Sequence, residues 1–204
     1  MSRRSPAQIC LEEIVQLANE TPAKKNGSAP PDDGPIELSR FDGRWHELAR
    51  TPNPFQDNKP RRNGKKYSEC IGSEADYRIT GDGEITLRNT AKRRAKDNSI
   101  IKESAEGFGK LAEGSNGRML KVTVGSPVWR FFQKALMNGG ASYRIFSVGP
   151  VNKDGKYDWA VVGSRRFAFL LTRDRKVSEE TRKEIVAAAK RHRIPTKRLI
   201  YRPG

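Results

Sequence analysis

The chain contains few of the residues that mark disulfide-rich, metal-binding or membrane-spanning proteins. It has 204 residues, of which two are cysteines, Cys10 and Cys70, and two are histidines, His46 and His192. One pair of cysteines so far apart in sequence is weak support for a disulfide, so we interpret both as free thiols. No apolar run approaches the roughly 18 residues that a membrane-spanning helix requires. The sequence therefore excludes such a helix and gives little support to a disulfide framework.

The N-terminus also lacks the apolar core of an export signal. Its basic start, residues 1–4, is followed by an apolar stretch that Glu12 and Glu13 interrupt. Together with the low cysteine content, this favours an intracellular protein. At this length we expect one domain at residues 35–204 and an N-terminal extension at residues 1–34, rather than two full domains.

What the chain has in excess is positive charge. Its formal net charge is +16 and its isoelectric point is near 10.1. Such a charge implies attraction to an anionic partner, and both nucleic acid and an anionic membrane surface are open. The basic residues concentrate in three runs, at residues 59–66, 92–96 and 190–198, which we expect in loops or on an exposed helix. These runs do not interleave with aromatic residues as a nucleic-acid stacking platform would.

Hydrophobic periodicity divides the chain into a short helical extension, a linker and a β-rich domain. Residues 7–19 have helical spacing, and residues 21–35 are rich in Pro, Gly, Lys and Asp. Beyond them, short runs with period-two alternation are separated by turn residues. Eight of these runs are predicted as strands, at residues 44–50, 75–80, 84–90, 108–112, 119–125, 142–148, 159–164 and 167–173.

The last part of the chain changes from strand to helix periodicity. Residues 177–192 predict one helix with Ser178 as its N-cap, and residues 197–201 form a candidate short strand. Eight strands followed by a helix are natural for a closed barrel with a helix packed outside. Closure also removes the exposed edge strands that promote aggregation.

Three motifs in order resemble the signatures of the lipocalin family, in the calycin superfamily. The first is Gly43-Arg44-Trp45 at the start of the first strand, in the form found in bacterial lipocalins and apolipoprotein D. The second is the segment 154–163 around Tyr157, and the third is the single Arg173 at the end of the eighth strand. The resemblance implies an eight-stranded up-and-down antiparallel β-barrel with one C-terminal α-helix packed outside, in addition to the short N-terminal helical extension.

The signature residues Gly43, Trp45, Tyr157 and Arg173 have structural roles in this interpretation. Trp45 lies across the closed end of the barrel and Arg173 stacks on its indole, an attraction of about 0.5 to 2 kcal/mol. The remaining guanidinium donors are expected to meet backbone carbonyls of the N-terminal turn. We therefore assign these residues no role in binding or catalysis.

The resemblance also implies a ligand inside the barrel, bound by inward-facing side chains. Alternation from the signature residues, and the apolar alternation of residues 119–124, point one set inward, namely Glu47, Ala49, Leu120, Val122, Val124, Phe167, Phe169 and Leu171. By similarity to the family a second set joins them, namely Ala75, Tyr77, Ile85, Leu87, Asn89, Tyr143 and Ile145. Such a lining suits a small hydrophobic or amphipathic ligand, for example a fatty acid or lysophospholipid.

Other readings stay open at this point. The same side chains could fill the barrel as a packed core. Residues 126–140 could form a lid, a membrane-touching wedge or a helix on the flank of the barrel. A basic module in a nucleic-acid-associated or structural assembly is the alternative function. We expect no catalytic site, cofactor or metal, because no nucleophile with a base and no metal-ligand spacing is evident.

Overall fold

The computed structural model describes residues 34–53, 69–80, 83–94, 97–124, 141–164 and 167–202. Four sequence predictions therefore lie outside the described residues. These are the N-terminal helix with Cys10, the linker as far as residue 33, the basic run at residues 59–66 and the segment 126–140. The division of the chain at residue 34 and the intracellular location stay predictions.

Strands dominate the described part of the chain and close into a barrel. The strands are β1 (Gly43–Arg50), β2 (Glu69–Ile79), β3 (Glu84–Arg94), β4 (Ile100–Leu111), β5 (Met119–Val124), β6 (Ala141–Val148), β7 (Trp159–Gly163), β8 (Ala168–Thr172) and β9 (Ile200–Tyr201). Each of β1 to β7 pairs antiparallel with the following strand, and β8 pairs with β1 to close the barrel. The predicted eight-stranded up-and-down barrel is confirmed. The short β9 pairs with β1 beyond the point where β2 leaves it.

Strands β2, β3 and β4 are longer than predicted, and always at the same end of the barrel. The sequence placed residues 92–96 in a loop, but Lys92, Arg93 and Arg94 belong to β3 and pair with both β2 and β4. This part of the sheet carries charged residues instead of an apolar and a polar face. Period-two alternation is therefore absent there, and sequence analysis ended the strands too early.

One helix, α1 (Glu179–Arg191), packs on the outside of the barrel as predicted. Its N-cap Ser178 accepts a hydrogen bond from the backbone N–H of Thr181 at 3.2 Å. Acidic residues occupy its first turn and basic residues its last, which suits the helix dipole. Ile185, Ala188 and Ala189 are buried against an outer hydrophobic cluster on β1, β6, β7 and β8.

A second hydrophobic cluster lies inside the barrel and ends beneath a 3-10 helix, Leu38–Phe41. Leu38 and Phe41 are buried in this inner cluster, so the 3-10 helix covers one end of the barrel. We call this the closed end. The opposite end, where β1 ends at Arg50 and β2 begins at Glu69, is called the far end.

Candidate functional site

At the closed end, Arg173 and Trp45 form the predicted stack. The guanidinium carbon of Arg173 lies 3.7 Å from the centre of the indole ring. Its three nitrogens donate to the backbone carbonyls of Tyr157, Arg44 and Arg40 at 2.9 to 3.0 Å. Burial lowers the pKa of Arg173 to about 10, which leaves the side chain charged at neutral pH. The charge is thus balanced by carbonyl dipoles and an aromatic face.

The other signature residues also stabilise the closed end. Gly43 has φ +103, and a Cβ there would lie 3.3 Å from a terminal nitrogen of Arg173, so both backbone and space favour glycine. The Tyr157 hydroxyl accepts a hydrogen bond from the backbone N–H of Glu37 at 3.0 Å. The indole N–H of Trp45 donates to the carbonyl of Phe41 at 2.8 Å. These contacts hold the 3-10 helix across the barrel.

Most of the predicted lining residues do face the interior. Ten belong to or pack against the inner cluster, namely Ala75, Tyr77, Ile85, Leu87, Leu120, Val122, Tyr143, Ile145, Phe169 and Leu171. Glu47 is buried, whereas Asn89 and Phe167 are half-buried and belong to neither cluster. Val124 pairs with Gly107, but its side chain is not among those described. Whether these residues bind a ligand stays a prediction.

Ala49 is the exception, because a bulge in β1 reverses its direction. The pairing of β1 with β8 shifts between Glu47 and Ala49, so that Ala49 lies opposite Leu170 instead of an inward residue. Both residues belong to the outer cluster under the helix. The prediction that Ala49 faces the interior is therefore wrong. The same bulge turns Arg50 inward, opposite Phe169.

Around Glu47 the far end of the interior contains an ionic cluster that sequence analysis missed. One carboxylate oxygen of Glu47 accepts from Arg50 at 3.0 Å and from Arg202 at 2.7 Å. The other oxygen accepts a short hydrogen bond from the Ser73 hydroxyl. Arg202 also donates to the carbonyl of Cys70, and its second terminal nitrogen lies 3.3 Å from the Cys70 sulfur. We call Glu47, Arg50, Ser73, Cys70 and Arg202 the far-end cluster.

Burial and the neighbouring cations have opposite effects on the pKa of Glu47. Burial by itself would raise the pKa of this carboxyl, but Arg202, Arg50 and the Ser73 hydroxyl outweigh it and hold the pKa below its usual value. Glu47 is therefore ionised at neutral pH and has two guanidinium partners. A third buried arginine, Arg93 on β3, lies directly opposite Cys70 in the sheet. This end of the barrel therefore has guanidinium groups on β1, on β3 and after β9.

A second polar feature lies between the far-end cluster and the closed end. The hydroxyls of Tyr77 and Tyr143 are 3.3 Å apart across the barrel. Burial raises the pKa of Tyr77 to about 12 and that of Tyr143 well above its usual value, so both are neutral. Two neutral hydroxyls offer hydrogen bonds without charge.

The outer face agrees with the sequence interpretation in one further respect. His46 points away from the interior, as predicted, and its Nδ1 lies 3.6 Å from the carboxylate of Glu74, which Lys92 and Arg175 also contact. Among the described residues there is no group of three or more His, Cys, Asp and Glu side chains that could hold a metal ion. No helix in that part of the chain is both long and apolar enough to cross a membrane.

Comparison with known proteins adds an independent finding. The family model of the lipocalin-like domain matches residues 36–204. An outer membrane lipoprotein Blc from Vibrio cholerae is 26% identical over 81% of this chain and 81% of its own length. Temperature-induced lipocalin-1 from Arabidopsis thaliana is 28% identical over 76% of this chain and 72% of its own. Apocrustacyanin C2 has a similar fold, with a TM-score of 0.51 at 16% identity over 81% of this chain and 78% of its own.

Proposed function

Because the chain belongs to the family of lipocalin-like domains, we propose that its barrel binds one amphipathic lipid, such as a fatty acid or lysophospholipid, with the polar end towards the far end. Proteins of this family bind small hydrophobic ligands and are generally binding or transport proteins rather than enzymes. The class of the ligand and its orientation are inferred from the positions of polar and apolar side chains along the interior.

The observation that carries the proposal is the change in the interior from one end to the other. Towards the closed end, the rings of Phe41, Trp45 and Tyr77 pack against one another with centroids 4.8 and 5.0 Å apart. Towards the far end, inward-facing Phe169 retains partial exposure and lies opposite Arg50. A ligand with an apolar tail and a polar head matches this gradient, since apolar surface gains about 25 cal/mol per Å² on burial and a buried polar group requires a partner.

The charge of the far-end cluster favours an acidic head. Arg50 and Arg202 already share the carboxylate of Glu47, and Arg93 is buried one strand further along. Guanidinium groups match carboxylates and phosphates in shape and can bind them through two parallel hydrogen bonds. A carboxylate or phosphate head therefore matches the guanidinium groups at this end of the barrel.

The proposal is tested by titration with a dansyl-labelled undecanoic acid, followed by displacement with unlabelled fatty acid and lysophospholipid. We expect saturable binding that both lipids reverse. Phe169→Trp enlarges a side chain inside the barrel and should weaken binding about tenfold, which corresponds to about 1.4 kcal/mol of overpacking.

Phe108→Trp is the matched control. Phe108 lies on β4 between two inward positions, Gly107 and Gly109, and therefore faces outward. The same enlargement at this position should leave the dissociation constant unchanged. Equal affinities of the two variants, or no saturable binding by the unaltered protein, would contradict the proposal.

A further inference from the structure

The far end of the barrel carries a three-stranded projection, which we call the lip. It comprises the parts of β2, β3 and β4 beyond Glu74 and Gly107, the last residues to pair with β1 and β5. From Gly107 to Ile101, β4 continues for about six residues, or about 20 Å at the ordinary rise of a strand. Within the described ranges, the pairing of β4 with β5 ends at Val124, and the lip continues beyond that point.

Two adjacent isoleucines lie at the end of the lip. Ile100 and Ile101 are 58% and 45% exposed, more than any other large hydrophobic side chain in the described residues. Alternation along a strand turns one of them to each face. A single exposed apolar residue is common on protein surfaces, but an adjacent pair at the end of a projection indicates a surface for contact.

Cations lie beside this pair and immediately behind it, since Arg94 stands opposite Ile100 and Lys102 follows Ile101. Arg94 and Lys102 are exposed, and Lys102 stands directly opposite Lys92 in the sheet. The amine of Lys92 lies 3.4 Å from the carboxylate of Glu74, whereas Lys102 is exposed to an incoming anion. In the sequence, residues 90–104 contain five basic and two acidic residues.

A second group of cations lies at the same end. Strand β9 runs antiparallel to β1 and begins opposite Arg50, so the preceding 3-10 turn, Thr196–Arg198, lies on the far-end side. Lys197 and Arg198 in this turn are exposed. The last 20 residues of the chain, 185–204, contain six basic residues and no acidic one.

We propose that the lip docks the far end of the barrel onto an anionic phospholipid bilayer. Ile100 and Ile101 enter the boundary between headgroups and acyl chains, while Arg94, Lys102 and the turn before β9 contact lipid phosphates. Nucleic acid would use the same cations but would leave two aliphatic side chains exposed to water. Docking requires no ligand inside the barrel, so it is independent of the proposed function.

The test measures co-sedimentation with vesicles of phosphatidylcholine containing about one third phosphatidylglycerol, with pure phosphatidylcholine vesicles for comparison. The protein should bind the anionic vesicles and lose binding as salt is added. The pair Ile100→Ser and Ile101→Ser should reduce partition about tenfold and retain the salt dependence. The pair Arg94→Gln and Lys102→Gln should reduce partition about tenfold and weaken the salt dependence.

Matched controls come from the closed end. Val151 is 44% exposed there, and Lys153 and Lys176 are also exposed, so Val151→Ser and the pair Lys153→Gln and Lys176→Gln should leave partition unchanged. All the substituted side chains are exposed, and unaltered circular dichroism and Tm should verify folding. Three outcomes would overturn the proposal: no binding of the unaltered protein, unchanged partition of the isoleucine variant, or binding to RNA instead of vesicles.

Discussion

The two ends of the barrel hold arginines in different ways. At the closed end, Arg173 lies on an indole and donates to three backbone carbonyls, none of which titrates near neutral pH. At the far end, Arg50 and Arg202 share one ionised carboxylate, that of Glu47. The contacts of Arg173 therefore do not change with pH near neutrality. The contacts of Arg50 and Arg202 require Glu47 to be ionised, which suits the end of the interior where an acidic ligand would enter.

The largest effect is expected when the far-end carboxylate is removed. Glu47→Met leaves the buried Arg50 and the half-buried Arg202 without their shared anion, which should lower the free energy of unfolding by about 3 to 5 kcal/mol. Urea denaturation monitored by tryptophan fluorescence measures this loss. A loss under about 1 kcal/mol would mean that water or another group replaces the carboxylate, and the far-end cluster would then not stabilise the fold.

A double-mutant cycle separates the ion pair from simple packing. Arg202→Met should itself be destabilising, and combining it with Glu47→Met should recover part of the loss, because replacing a buried pair with apolar residues is often close to neutral. Strictly additive losses would show that Glu47 and Arg202 act independently. Arg202 follows β9, so the cycle also measures how firmly the end of the chain is attached to the barrel.

A smaller effect is expected at the closed end from Arg173→Lys. Lysine keeps the charge but loses the planar group that stacks on Trp45 and reaches three carbonyls together, so we expect a loss of about 2 kcal/mol. The same denaturation assay applies. Stability equal to that of the unaltered protein would show that the positive charge alone, and not the shape of the guanidinium, stabilises the closed end.

The closed end was predictable from sequence, and the far-end cluster was not. Gly43, Trp45 and Arg173 belong to motifs that carry their own geometry, and each is found in its predicted place. At the far end, alternation failed at one bulge, which turned Ala49 outward and Arg50 inward. A bulge adds one residue to one strand, and the sequence of that strand alone carries no signal for it.

The remaining members of the far-end cluster were missed for a different reason. Ser73 and Cys70 lie in a part of β2 without hydrophobic alternation, and Arg202 follows a strand of only two residues. These groups meet Glu47 through pairing between segments distant in sequence. Local periodicity predicts which face of a strand is buried, but it does not predict which distant strand supplies a partner.

The dependence of stability on pH should distinguish the two ends most directly, although its effect is the smallest. The pKa of Glu47 is lower in the folded protein than in the unfolded chain, so its contribution is fully present above about pH 4.3 and disappears as the pH falls through the folded value. The difference in unfolding free energy between the unaltered protein and Glu47→Met should therefore narrow as the pH falls from 6 to 3. Arg173→Lys exchanges one permanent cation for another, so the difference in unfolding free energy between this variant and the unaltered protein should stay constant over that range.

Other carboxyls with lowered pKa values, such as Glu74, titrate in every variant, so their contributions cancel in these differences. If the Glu47→Met difference also stayed constant, Glu47 would not be the group that makes the far end sensitive to charge.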